Sequence, residues 1–163
     1  MALPGKLSRL RPRQILQLVK VFIVRPFYII PTYRATQLAI HLAQARFGKE
    51  HHLNTPANAF RHALWSYLIA QKVYKKNENV SKAVHWAKTI TDLHEQIAPN
   101  KPLEKAMDLH NNSIGLRLFE ANYTTNTTDQ LLKLLNRETD QAVKITKAAD
   151  IEINKNRLVF LEN

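Results

Sequence analysis

Four residues of the stretch TPANAFRHALWS carry chemistry at helical spacing: Asn58, Arg61, His62 and Trp65, at i, i+3, i+4 and i+7. Asp108, Asn111, Asn112 and Gly115 repeat that spacing further along the chain. Between them lies TDLHE, with Asp92, His94 and Glu95. Imidazole, carboxylate, guanidinium and amide groups together suit two kinds of site. In one, His62, His94 and Asp108 (or Glu95) bind a divalent cation, zinc or manganese, and the remaining carboxylate activates a water. In the other there is no metal. His62 or Glu95 is then the general base, and Arg61 with the paired asparagines stabilises an oxyanion or a phosphate. No HExxH pattern is present, so the ligands of a metal site would come from separate helices. Ser66 and Ser113 lie outside any GxSxG elbow and are discounted as nucleophiles.

These residues need elements to hold them. The helix that carries Arg61 and His62 is read from Pro56 to about Lys75, with Thr55 as cap and Pro56 at the first helical position. Phe60, Ala63, Leu64, Tyr67, Leu68, Ile69, Ala70 and Val73 make it apolar nearly all round, which places it at the centre of the fold. A polar stripe there costs free energy unless it is partnered. The next helix, about 80–97, has apolar rows Trp86, Ile90, Leu93, Ile97 and Val80, Val84, Ala87, Thr91. On this wheel His94 extends the second row inward, Glu95 lies at the edge, and Asp92 faces solvent with Lys88 and His85. A helix opened by Pro102 turns Asp108, Asn111, Asn112 and Gly115 to the core, and Gly115 admits a neighbouring backbone. Two asparagines and an aspartate on an inward helix face are not what packing alone selects.

Around this core the reading places four more segments. Pro31 or Thr32 opens a helix with the stripe Leu38, Ala39, Leu42, Ala45, closed by Gly48. His51 and His52 fall in a solvated loop. Thr127 or Thr128 caps a helix that continues through DQLLKLLNRETDQAVKITKAA, and the tail IEINKNRLVFLEN alternates about an NKN turn, as a small β-hairpin would. The fold class is therefore all-α, a compact bundle of about six helices around the buried central one, with a small C-terminal β-hairpin.

Composition narrows the function. The chain has no cysteine, which removes disulfides, thiolate metal sites and cysteine nucleophiles. Its net charge of +11 is concentrated: residues 1–49 hold nine basic residues and no acidic one. That asymmetry calls for an anionic partner: a membrane surface first, then nucleic acid or an acidic protein. The apolar run 14–30 is broken by Lys20, Arg25 and Pro26, which makes it a poor membrane span; it reads first as a core helix with a few surface cations and second as a segment lying in a membrane interface. The chain divides on this reading into a basic, apolar segment at 1–30 and a helical domain at 31–163, whose core is 54–120.

NAFRHALW, TDLHE and MDLHNNSIG resemble the three signature blocks of an uncharacterised family of small bacterial helical domains, found alone and at the ends of secreted polymorphic toxins. The resemblance covers about residues 54–120. It implies Asn58, Arg61, His62, Trp65, Asp92, His94, Glu95, Asp108, Asn111, Asn112 and Gly115 as signature positions, and it implies a bacterial protein. Asp92 is a surface residue on the wheel, so pattern and wheel disagree there. The resemblance implies no particular reaction, and occurrence in toxins points toward hydrolysis or group transfer. The favoured expectation is a hydrolase of a lipid or other phosphate ester at a membrane surface, in the cytoplasm against the inner membrane, with a secreted location left open. The rival expectations are a non-catalytic membrane-peripheral or partner-binding module with a structural polar cluster, and a nucleic-acid-binding or cleaving protein.

Overall fold

A computed structural model describes residues 19–98, 100–124 and 127–161. Residues 19–24 are helical, and a 3-10 turn at Pro26–Tyr28 leads into α1, Ile29–Phe47. A second 3-10 turn, Gly48–His52, precedes α2, Pro56–Asn77. Then come α3 (Val80–Ile97), α4 (Pro102–Asn122), α5 (Thr128–Asp140), the short strand β1 (Val143–Lys144), α6 (Ala148–Ile153) and β2 (Val159–Phe160). The all-α bundle with a small strand pair at the C-terminus is what the patterning implies. No described helix is long and apolar enough to cross a membrane.

The hub is α2, which packs against α1, α3, α4 and α5. Phe60, Ala63, Leu64, Tyr67, Leu68, Ile69 and Val73 are buried on every side of it, each larger side chain contributing about 1.5–3 kcal/mol by leaving water. Thr55 occupies the cap position with extended backbone, but its hydroxyl donates to the Glu50 carbonyl instead of accepting from the helix. Pro56 at the first turn needs no partner. The helix ends at Glu78, whose left-handed backbone turns the chain.

The helices close on α2 through small residues. Ala35, Ala39 and Ala43 form the buried stripe of α1, with Leu38 and Leu42 beside it. Ala45, expected in that stripe, is exposed. Gly48 ends α1 at φ 55°, a conformation that glycine adopts without strain. Gly115 of α4 crosses α2 so closely that a β-carbon there would sit 2.7 Å from the Ala63 Cα and closer still to the Ala63 carbonyl and the Ser66 hydroxyl. Side-chain caps fix the starts of two helices: Asn79 accepts from the Lys82 amide, and Thr127 from that of Gln130.

The C-terminal third departs from expectation in two respects. The helix begun at Thr128 stops at Asp140 and does not continue to 149. Val143–Lys144 leaves as a strand and pairs in parallel with Val159–Phe160, so the strands are joined by α6 and not by a tight turn. Ile145 is buried there with Met107 and Val159. Burial of this β-branched run in a satellite core overrides the weak helical preference of 141–149.

Candidate functional site

Three helices bring the polar cluster together. α2 supplies Asn58, Arg61 and His62, α3 supplies His94 and Glu95, and α4 supplies Asp108 and Asn112. His62, Glu95 and Asp108 are all buried, and each offers a ligating atom within 4.8 Å of the other two. His62 Nε2 stands 3.3 Å from Asp108 Oδ1, and His62 Nδ1 stands 3.7 Å from Glu95 Oε1.

The imidazole's protonation follows from its partners. Arg61 donates to His62 Nε2 at 2.8 Å, which makes that nitrogen an acceptor. The ring proton therefore sits on Nδ1, facing Asn112 Oδ1 at 3.3 Å. Burial pushes His62 well below its usual titration range, and the neighbouring Arg61 and His94 add to the effect. Arg61 also reaches Asn58 Oδ1 at 3.4 Å. Burial lowers the guanidinium's pKa, against the pull of Asp108 and Glu95.

Asp108 is the most perturbed carboxyl. Its pKa is raised to about 7, first by burial and then by the Glu95 charge, with Arg61 and the Asn100 hydrogen bond opposing. Asn100 Nδ2 donates to Asp108 Oδ2 at 2.9 Å. Three buried polar atoms of the cluster have no hydrogen-bond partner: Glu95 Oε2, Asp108 Oδ1 and Asn112 Nδ2. Two unpartnered carboxyl oxygens beside a neutral imidazole are what a divalent cation would satisfy.

The structure corrects the expected ligand set. Glu95 is wholly buried and His94 half-exposed, the reverse of the wheel. The group whose atoms converge closely enough to hold an ion is His62, Glu95 and Asp108, with His94 outside it. The two side chains are one residue apart, or about 100° on a helix, and α3 is rotated against α2 and α4 so that this arc favours Glu95. His94 Nδ1 nevertheless lies 3.0 Å from Glu95 Oε1, and its ring packs edge-on against Trp65 at 5.0 Å.

The other expected residues divide. Trp65 flanks the cluster and donates to Thr36 Oγ1 at 2.9 Å. Asp92 is partly exposed and paired with Lys88, as the wheel placed it. Asn111 is turned away: its amide donates to the Val159 carbonyl at 2.8 Å and accepts from the Val159 amide at 3.0 Å, fastening β2 to α4. Gly115 is a packing residue against Ala63 and Ser66. Ser66 donates to the backbone carbonyls of Asn112 and Ala63, and Ser113 is exposed. His51, expected in solvent, is buried against Gln44 at 3.0 Å, while His52 is exposed. Sequence reasoning missed Asn100. It stands in the α3–α4 connection, and its place two residues before Pro102 is the one local sign of a role.

A family model described as a domain of unknown function (DUF6973) matches residues 19–143. The chain belongs to that family. The tie to polymorphic toxins is no part of that match. No curated protein matches the chain.

Proposed function

We propose that this member of the DUF6973 family is a metal-assisted hydrolase of phosphate esters. The observation that carries the reading is the convergence of His62, Glu95 and Asp108 from three helices, with two carboxylate oxygens left unpartnered. A bound divalent cation would supply Lewis-acid polarisation and a water that ionises near neutral pH.

The rest of the chemistry belongs to the chain. His62, Glu95 and Asp108 would hold the ion, and Asn100 fixes the Asp108 carboxyl through its other oxygen. Asp108, whose pKa is raised to about 7 in the metal-free cluster, would hold the ion as its deprotonated carboxylate. Arg61 is partly exposed at the edge of the cluster, where its fork of donors suits phosphate oxygens; Asn58 beside it holds the guanidinium in place. His62 Nε2 would be free to hold the ion only with the Arg61 hydrogen bond released, and Arg61 would then be free for the substrate. The substrate class is a phosphate ester, and the one-sided positive charge of residues 1–49 favours a phospholipid headgroup within that class.

The closure of the cluster supports a second reading. The Arg61 charge acts on both Asp108 and Glu95, and His62, Glu95 and Asp108 are nearly inaccessible. The domain is then a non-catalytic helical module whose ion network is scaffolding.

Metal analysis of the purified, untagged chain separates the two, together with hydrolysis of bis-p-nitrophenyl phosphate and the Glu95→Gln variant. The hydrolase reading expects close to one zinc or manganese per chain, absent from Glu95→Gln, and turnover that chelation abolishes. A chain that takes up no divalent ion and cleaves no phosphate ester overturns it in favour of the scaffold.

A further inference from the structure

Residues 19–30 have two apolar faces. Val21, Phe22 and Tyr28 point inward and pack on the main core. Tyr28 is anchored there twice, by an edge contact with Trp86 at 5.2 Å and by the Asn77 amide, which donates to its hydroxyl at 2.6 Å. Pro31 and Thr32 behind it are buried, and Thr32 accepts from the Trp86 indole at 2.9 Å. The segment is thus fixed to the body of the domain, yet its other face is open. Ile23 is 71 % exposed, Val24 70 %, Phe27 85 % and Ile30 61 %. Scattered exposed apolar residues are ordinary, but four of this size within eight positions, led by a nearly naked phenylalanine, form a patch.

The charge around the patch has one sign. Lys20, Arg25 and Arg34 are exposed beside it, and the chain has no acidic residue before Glu50. The positive field continues onto α2. Burial and then the nearby Lys75 and Arg34 charges hold the Lys72 ammonium below its usual pKa. An apolar tip ringed by lysine and arginine matches the interface of an anionic bilayer, where apolar side chains enter below the headgroups and cations meet their phosphates.

We propose that the face formed by Ile23, Val24, Phe27 and Ile30, with Lys20, Arg25 and Arg34 around it, docks the domain on anionic membranes. The docking is independent of the polar cluster and of any reaction there. It is monotopic: the face lies on the bilayer, and no described helix crosses it.

Co-sedimentation of the full chain with phosphatidylcholine vesicles, with and without phosphatidylglycerol, tests this. Wild type is expected to partition at least about tenfold more strongly onto the anionic vesicles, and high salt is expected to weaken it. Ile23→Ser/Phe27→Ser is expected to lose binding, and Arg25→Glu/Arg34→Glu to lose the preference for anionic lipid. All four positions are exposed, so thermal melting should show both variants folded. In a Phe27→Trp chain, brominated lipid should quench the new indole. Glu95→Gln should sediment like wild type, so failure of the hydrolase reading does not touch this result. The proposal is overturned if wild type does not sediment with anionic vesicles, or if both surface variants bind as wild type does. It is also overturned if Ile23→Ser/Phe27→Ser converts a lipid-free dimer to a monomer, which would make a second copy the occupant.

Discussion

His94 and Glu95 are consecutive on α3 and share a hydrogen bond at 3.0 Å, yet one side chain is 51 % exposed and the other 0 %. The pair therefore runs from solvent to the buried cluster. Glu95 Oε1 faces two imidazoles, His94 outside and His62 inside.

This arrangement ranks the two residues. On the proposed reading, removing Glu95 would take a ligand from the cluster, whereas removing His94 would take only a partner of that ligand. His94→Ala is expected to keep the full ion stoichiometry at saturation with an affinity about 10–100-fold weaker, the usual cost of losing a supporting hydrogen bond. Titration calorimetry with zinc and with manganese checks this. If His94→Ala loses the ion as completely as Glu95→Gln, His94 is an inner ligand and the assignment fails.

Asp108 makes stability depend on pH in a direction opposite to that of an ordinary carboxylate. Its pKa moves from 3.8 in the unfolded chain to about 7 in the fold. Between those values the native state holds the extra proton, so stability falls as pH rises from about 4 to about 7. His62 works in the other sense: its pKa is depressed, and protonation of the unfolded chain costs stability as pH falls below 6.5. The difference between wild type and Asp108→Asn reports Asp108 together with its coupling to His62 at 3.3 Å. In chelator-treated protein, Asp108→Asn should be the more stable at about pH 8, by up to roughly 4 kcal/mol, with the difference shrinking toward about pH 4. Urea melts across that range measure it. An unchanged difference would mean that the Asp108 charge is compensated in the fold.

Asn111 should behave as a structural residue. Both ends of its amide satisfy buried Val159 backbone groups. Asn111→Ala strands a donor and an acceptor and is expected to cost about 2–3 kcal/mol. Ion binding by the folded variant should match wild type. A folded variant of normal stability that cannot bind ion would return Asn111 to the site.

Gly115→Ala is expected to destabilise by about 2–3 kcal/mol through overpacking, since the new methyl group meets the Ala63 backbone and not a flexible side-chain end. It also crowds the Ser66 hydroxyl, whose hydrogen bond to the Asn112 carbonyl ties α2 to α4. A denaturation midpoint equal to wild type would show that the helices can separate at this crossing without loss.

Periodicity determined much of this protein by itself. The apolar circumference of 56–75 made α2 the hub, and Pro56, Pro102 and Gly48 marked ends that the structure keeps. The i, i+3, i+4, i+7 stripes placed His62, Asp108 and Asn112 at one interior, because spacing on a single helix sets which residues share its face. What spacing does not set is the rotation of one helix against another. Neighbouring residues differ by about 100°, so the choice between His94 and Glu95 as the buried member needed α3 seated on α2 and α4. The same limit hid the loop residue Asn100 behind Asp108 and sent Asn111 to Val159 instead of the cluster. It also hid the strand at 143–144, whose partner lies sixteen residues on in register with it. Those facts depend on contacts distant in sequence, which only the packed helices decide.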